Sequence, residues 1–185
     1  MPVVRIVGVL GALSLLTLAV PLPYVEELRN AGALAAQSPA ACDANPKSAN
    51  LNFVLKDPDG KDFNLAAQKG KVILLDFWAT WCPPCKVEVP WFVEFQQKYG
   101  PKGLVVIGVS VDDPAAKLKP FAEQYKVNYP LLVGDGRNDI KGPRGFNAAW
   151  GLPKTFVIGR DGKICKTHIG LSVKEHFEQQ IKSLL

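Results

Sequence analysis

Cysteine is scarce in this chain. Four occur in 185 residues, Cys42, Cys82, Cys85 and Cys165, too few to staple a small loop-rich scaffold. A run of like charges is also missing. The formal net charge is +5, but the basic residues are scattered from Lys56 to Lys182. That pattern suits a solvated surface with some preference for acidic partners and argues against nucleic-acid binding. No internal repeat is visible, and the longest apolar run, 6–20, is shorter than the roughly 20 residues of a spanning helix. The two histidines, His168 and His176, are most simply surface or hairpin side chains. What remains is a chain that is 48% hydrophobic and 21% charged, enough to bury the core of one ordinary domain.

The first residues are not part of that core. Arg5 is followed by the apolar run 6–20, the basic start and short hydrophobic region of a secretory signal. Small residues allow cleavage after Ala19 or Ala35, and a retained membrane anchor is the other reading. Both place the domain outside the cytoplasm, periplasmic or secreted. Cys42 follows Pro39-Ala40-Ala41, a poor lipid-attachment site. Residues 31–50, rich in Ala, Ser, Pro and Asn, have no period and read as a linker. The expected organisation is a signal peptide or anchor over 1–36, a linker over 37–50 and a globular domain over 51–185.

Within the domain, 52–55 and 61–65 flank Asp57-Pro58-Asp59-Gly60 and read as a hairpin. The near-continuous apolar runs 71–78 and 104–111 read as buried parallel strands. Between them the chain turns through 81–85 into a helix reaching about Tyr99, with Pro90 inside it as a kink and Gly100-Pro101 as its stop. A helix over 115–125, a short strand over 130–133 and a weak helix over 139–150 follow. Segments 154–159 and 163–169 form a second hairpin around Arg160-Asp161-Gly162. A last helix spans 173–185, with Ser172 available as its N-cap. Strands alternating with helices, closed by a hairpin, predict an α/β fold with a central mixed sheet.

The chemistry concentrates in Trp81-Cys82-Pro83-Pro84-Cys85. Disulfide exchange needs an attacking thiolate and a second thiol close enough to resolve the mixed disulfide. Two cysteines three positions apart at a helix start supply both. The helix dipole lowers the first thiol from about 8.5 toward ~3.5–7.5. Cys82 is thus the expected exposed nucleophile and Cys85 the resolving thiol, while Pro83 and Pro84 remove backbone donors that would otherwise stabilise the thiolate. Zinc ligation by this pair with Cys165 and His168 is disfavoured, because residues three apart on a strand face opposite sides; no metal is assigned. A Cu(I) carrier using the two thiolates is a rival of softer-ligand chemistry. Asp76 stands out as a lone carboxylate in an apolar strand, where burial raises its pKa and makes it a candidate acceptor for the Cys85 proton.

Asp76-Phe77-Trp78-Ala79-Thr80-Trp81-Cys82-Pro83-Pro84-Cys85-Lys86 resembles the active-site strand and turn of the thioredoxins. The Pro-Pro spacer, the export segment and the strand–helix insertion over 115–133 resemble the TlpA/ResA-like branch of that superfamily, a redoxin, AhpC/TSA-like group. The resemblance covers 51–185. It implies a thioredoxin fold with an N-terminal hairpin and a central insertion. It implies an extracytoplasmic thiol–disulfide oxidoreductase that needs no cofactor and acts as a monomer. Such enzymes reduce protein disulfides in cytochrome c maturation or copper-centre assembly, with a membrane thiol donor behind them. Pro153 matches the cis-proline that presents the Leu152 backbone to an extended substrate segment, and Trp81, Pro83 and Pro84 border the same site. Trp150 is expected beside the Pro153 loop. Glu88 matches an acid that this branch places near the cysteines. The resemblance also implies a structural bridge between Cys42 and Cys165, the alternative being two separate thiols with Cys165 packed as a small hydrophobe. A peroxiredoxin is the remaining rival. It wants Thr or Ser three residues before the reactive cysteine, where this chain has Ala79.

Overall fold

Seven successive residues, Val72–Trp78, are buried and form strand β3; Leu104–Ser110 does the same and forms β4. Strands with both faces covered need apolar residues throughout, and these two lie side by side in parallel at the centre of the sheet. The computed structural model describes residues 42–185 except 143, 149 and 150; the apolar start over 1–36 and Trp150 fall outside them. Ahead of the centre come β1 (Val54–Lys56) and β2 (Asp62–Asn64), paired antiparallel as the Asp-Pro-Asp-Gly turn requires. Helix α1 (Pro83–Tyr99) links β3 to β4, and α2 (Ala115–Tyr125) links β4 to β5 (Leu131–Val133). A one-turn helix α3 (Asn138–Lys141), strands β6 (Lys154–Ile158) and β7 (Ile164–Ile169), and helix α4 (Lys174–Leu184) complete the chain.

Among the described residues seven strands form one mixed sheet in the order β2-β1-β5-β4-β3-β6-β7. β3, β4 and β5 are parallel, while β6 and β7 add antiparallel. Helices α1 and α4 meet through Phe92 against Phe177, edge to face at 5.3 Å, and α2 sets Phe121 against Trp78 at 4.5 Å. Gly108 on β4 makes room for that indole: a Cβ there would lie 2.9 Å from Trp78 Nε1. No helix among the described residues is long and apolar enough to cross a membrane.

Three regions depart from the sequence reading. The weak helix expected over 139–150 stops at Lys141, because Gly142 takes an extended conformation and Phe146 and Ala148 fold back to donate their N–H groups to the Ile140 and Lys141 carbonyls. Residues 43–49, within the stretch read as linker, run along the β6–β7 hairpin. There the Asp43 N–H donates to the Cys165 carbonyl at 3.0 Å, the Ile164 N–H to the Lys47 carbonyl at 2.8 Å and the Ala49 N–H to the Gly162 carbonyl at 2.9 Å. The edge strand β7 thus gains a partner for its open side. Cys42 is joined to Cys165 at the same place, and Asp43 pairs with Lys166. Finally, Ser172 is not a helix cap. Helix α4 starts at Lys174 with Val173 in the cap position and no side-chain cap bond, and the Ser172 hydroxyl turns to His168 instead.

Candidate active site

β3 ends at Trp78, and the chain turns at the carboxyl edge of the parallel strands, where open α/β sheets place their sites. Two bonds set that turn. The Cys82 N–H donates to the Ala79 carbonyl, and the Val111 N–H to the Trp78 carbonyl. Helix α1 follows with Pro83 and Pro84 in its first positions, where a missing N–H costs nothing. Cys82 is the N-cap residue, and its Sγ accepts from the Cys85 N–H at 3.3 Å. Cys82 and Cys85 are bonded to each other, with Cα atoms 5.3 Å apart. The sequence led to an exposed Cys82; only 2% of it is exposed. The bond turns its Sγ inward toward Cys85, which is fully buried in the first turn, and leaves access from one side.

That side is a cleft of about 380 Å³ lined by Trp81, Cys82, Pro83, Pro84, Val111, Asp112, Gly151 and Leu152. Leu152 and Pro153 are joined by a cis peptide bond, and the Pro153 carbonyl accepts from the Gly170 N–H at 2.8 Å. Trp81 stands 58% exposed at the rim, its indole N–H donating to Asp112 Oδ1 at 2.9 Å and Oδ2 at 3.2 Å.

Two buried carboxyls lie on the elements that flank the cysteine turn, Asp76 on β3 and Glu88 on α1. Asp76 is paired across the sheet with Thr155 and Gly108, is 2% exposed, and accepts from the Thr155 hydroxyl at 3.0 Å. Burial, reinforced by Glu88, pushes its carboxyl well above the ordinary value, with Thr155 opposing. Glu88, three residues beyond Cys85 on α1, shares that helix face. It is 1% exposed, its Oε1 accepts from the Ser172 N–H at 2.9 Å, and its Oε2 has no partner among the described residues. Burial pushes it up to about 7 against the pull of that N–H.

Sequence reasoning missed Asp112 and Asp113. Asp113 takes the Thr80 N–H at 2.7 Å on Oδ2, the Thr80 hydroxyl at 2.6 Å on Oδ1 and the Ser110 hydroxyl at 2.7 Å on Oδ2. Burial raises its pKa, but the Thr80 and Ser110 donors outweigh it and hold it below the ordinary value. The available signal was position: both residues follow the end of a central parallel strand. Cys42 and Cys165 are joined away from this cluster, on the β7 edge.

The AhpC/TSA family model matches residues 47–167. Over 133 residues the chain is 36% identical to the thiol-disulfide oxidoreductase ResA of Bacillus thuringiensis (strain Al Hakam), covering 72% of this chain and 75% of that protein. Among solved structures, a thiol:disulfide interchange protein of the thioredoxin family from Chlorobium tepidum TLS superposes with a TM-score of 0.67 at 29% identity, covering 77% of this chain and 98% of that one. The exposed lipoprotein thioredoxin of Streptococcus pneumoniae strain TIGR4 superposes with a TM-score of 0.60 at 31% identity, over 71% and 98%. Fold, cysteine turn and relatives agree, and the chain belongs to the AhpC/TSA family as a ResA-like thiol–disulfide oxidoreductase of the thioredoxin superfamily.

Proposed function

We propose that this oxidoreductase is a reductase of protein disulfides that works outside the cytoplasm as a monomer, recharged by a membrane thiol donor. One observation carries the reading: a cysteine pair at a helix start, with Cys82 lining a cleft and buried carboxyls on the strand before the pair and the helix after it. In the reduced protein the Cys82 thiolate attacks one sulfur of a client disulfide, and the other client sulfur leaves as a thiolate. Cys85 then gives its proton to Glu88, attacks Cys82 Sγ and releases the second client sulfur. The client gains two electrons, and the pair closes to the Cys82–Cys85 disulfide. The thiol donor reverses these steps. Glu88 suits the proton because burial pushes its carboxyl up to about 7 and Oε2 has no partner among the described residues. The cleft beside Leu152 and Pro153 admits an extended client segment by strand-like backbone pairing.

The family resemblance points to clients whose cysteines must be reduced before haem or copper is attached. The exposed lipoprotein thioredoxin among the similar structures and the signal or anchor pattern over 1–36 support the compartment. Cys42–Cys165 acts as a brace. It closes residues 123 apart in sequence, which in the chain-entropy model stabilises by about 4–5 kcal/mol. Thiol titration of the unfolded, oxidised protein checks it: no free thiol is expected, and two would remove the brace. The function itself is tested with Cys85→Ser, which should trap Cys82 in a mixed disulfide with the client. Cys82→Ser should abolish reduction of a model protein disulfide. If Cys85→Ser accumulates no cysteine-linked adduct in cells, the exchange role fails.

A further inference from the structure

Glu88 is held by a donor that its own helix does not supply. The Ser172 N–H lies on Oε1 at 2.9 Å, and Ser172 belongs to the segment between β7 and α4. That segment has little packing of its own: Leu171 and Val173, on either side, are 52% and 49% exposed. Hydrogen bonds fix it instead. At one end the Gly170 N–H donates to the Pro153 carbonyl at 2.8 Å. At the other the Ser172 hydroxyl meets His168 Nδ1 at 3.2 Å.

The imidazole is fixed in turn. Its Nε2 lies 2.8 Å from Gln180 Oε1 on α4, and its ring rests on Phe177 with centroids 4.5 Å apart. An amide oxygen only accepts, so Nε2 carries the proton. In the neutral ring Nδ1 is then an acceptor, and the Ser172 hydroxyl donates to it. Burial holds His168 below its ordinary value and favours that neutral form. Gln180 and Asp43 oppose the shift, while His176 and Lys166 add to it. The titratable groups facing Glu88 are Asp76 on β3 and Tyr129 ahead of β5, together with Cys85 on its own helix.

We infer that His168 and Ser172 are positioning residues: the imidazole holds the Ser172 hydroxyl, and the segment so held keeps the Ser172 N–H on Glu88. Neither residue touches the sulfurs. Both act through Glu88, and the inference rests on the reading of Glu88 as acceptor of the Cys85 proton. An N–H donor stabilises the charged carboxylate, so loosening the clasp raises the proton affinity of Glu88 and moves the pH dependence of exchange to higher pH. A merely structural contact would lower the rate or the melting temperature at every pH and leave the profile where it is.

The test uses the reduced full-length protein. His168→Phe keeps the ring on Phe177 and removes both nitrogens. Ser172→Ala removes the hydroxyl and keeps the N–H. His168→Asn returns an amide oxygen close to the position of Nδ1. Two quantities are read: the titration of the Glu88 side-chain carboxyl by carbon-13 NMR, and the pH profile for reduction of a model protein disulfide. His168→Phe and Ser172→Ala should each raise the Glu88 midpoint by ~0.5–1 pH unit, the scale of one weakened hydrogen bond to a charged group. The profile should follow, and His168→Asn should restore both. Glu88→Gln separates the two claims. If it leaves the profile unchanged, the reading of Glu88 falls, while the carboxyl titration still decides the clasp. If Glu88→Gln removes the pH dependence but the carboxyl midpoint in His168→Phe and Ser172→Ala stays at the wild-type value, the clasp is overturned and the reading of Glu88 stands.

Discussion

Two acidic pairs flank the same cysteine turn and live in opposite surroundings. Asp112 and Asp113 sit where the turn meets β4 and are supplied with donors. Asp113 alone accepts from the Thr80 N–H, the Thr80 hydroxyl and the Ser110 hydroxyl, and it is held below the ordinary carboxyl value. Asp76 on β3 and Glu88 on α1 each have one donor among the described residues, from Thr155 and Ser172, and burial raises both. In the first pair both carboxyls hold the turn in shape by hydrogen bonds, and Asp113 is favoured in its charged form. In the second pair burial favours the protonated carboxyl, and Glu88, pushed up to about 7, suits the proposed proton exchange near neutral pH. Carboxyls of one type take different roles according to how many donors and how much water reach them.

Glu88→Gln gives the largest expected effect, because it removes the proposed proton acceptor while keeping the side-chain shape. Loss of a general base costs ~10²-fold or more in rate, so reduction of a model disulfide should fall about that far at neutral pH and lose its pH dependence. Stability should change in the opposite sense. A carboxyl that binds its proton more tightly folded than unfolded contributes most below its unfolded value, and the contribution is lost as pH rises through the folded value. For Glu88 that window runs from 4.5 to about 7, and the loss is on the order of 3 kcal/mol. Asp76 acts in the same direction. Urea unfolding of the oxidised protein across this window should show stability falling with pH, and a shallower fall in Glu88→Gln. Equal slopes in the two proteins would break the comparison at its buried end.

Asp113→Ala comes next and probes the satisfied end. It strands the buried Ser110 hydroxyl and the half-buried Thr80 N–H, a cost of about 2–4 kcal/mol. The sign with pH is reversed. A carboxyl held below its ordinary value contributes above that value and loses the contribution on acidification. Wild type and Asp113→Ala should therefore converge in stability as pH falls below the ordinary carboxyl range. A difference that persists at low pH would mean that the side chain acts through packing rather than through its charged hydrogen bonds.

These two ends were unequally legible in the sequence. Asp76 announces itself as a charge inside an apolar strand, and Cys82, Cys85 and Pro153 stand in a recognisable pattern. The order of strands and helices follows from apolar runs and turn residues. Asp113, in contrast, acts on Thr80, 33 residues earlier, and no local pattern reports a contact made only when two parallel strands align. Ser172 misled for the same reason. Its place ahead of a helix matches a cap, but His168 and Glu88, brought together by the sheet and by α1, claim its hydroxyl and its N–H first. Local signals identify groups that carry their own chemistry, and tertiary contacts assign those whose partners are distant.

The smallest effect belongs to Asp112 and Trp81. Their bond lies at the surface, with the indole 58% exposed, so water competes for it and its net worth is about 0.5–1 kcal/mol. The bond orients the aromatic wall of the cleft opposite Leu152, and a wobbling wall weakens client binding without touching the proton path. Trp81→Phe keeps an aromatic face and deletes the donor, while Asp112→Ala deletes the acceptor. Each should raise KM for a protein client ~2–5-fold with kcat and the pH profile unchanged. The double variant should cost no more than either single one, because both break the same bond. If Asp112→Ala instead moves the pH profile, the donor-rich pair takes part in proton transfer, and the division of labour between the two acidic pairs does not hold.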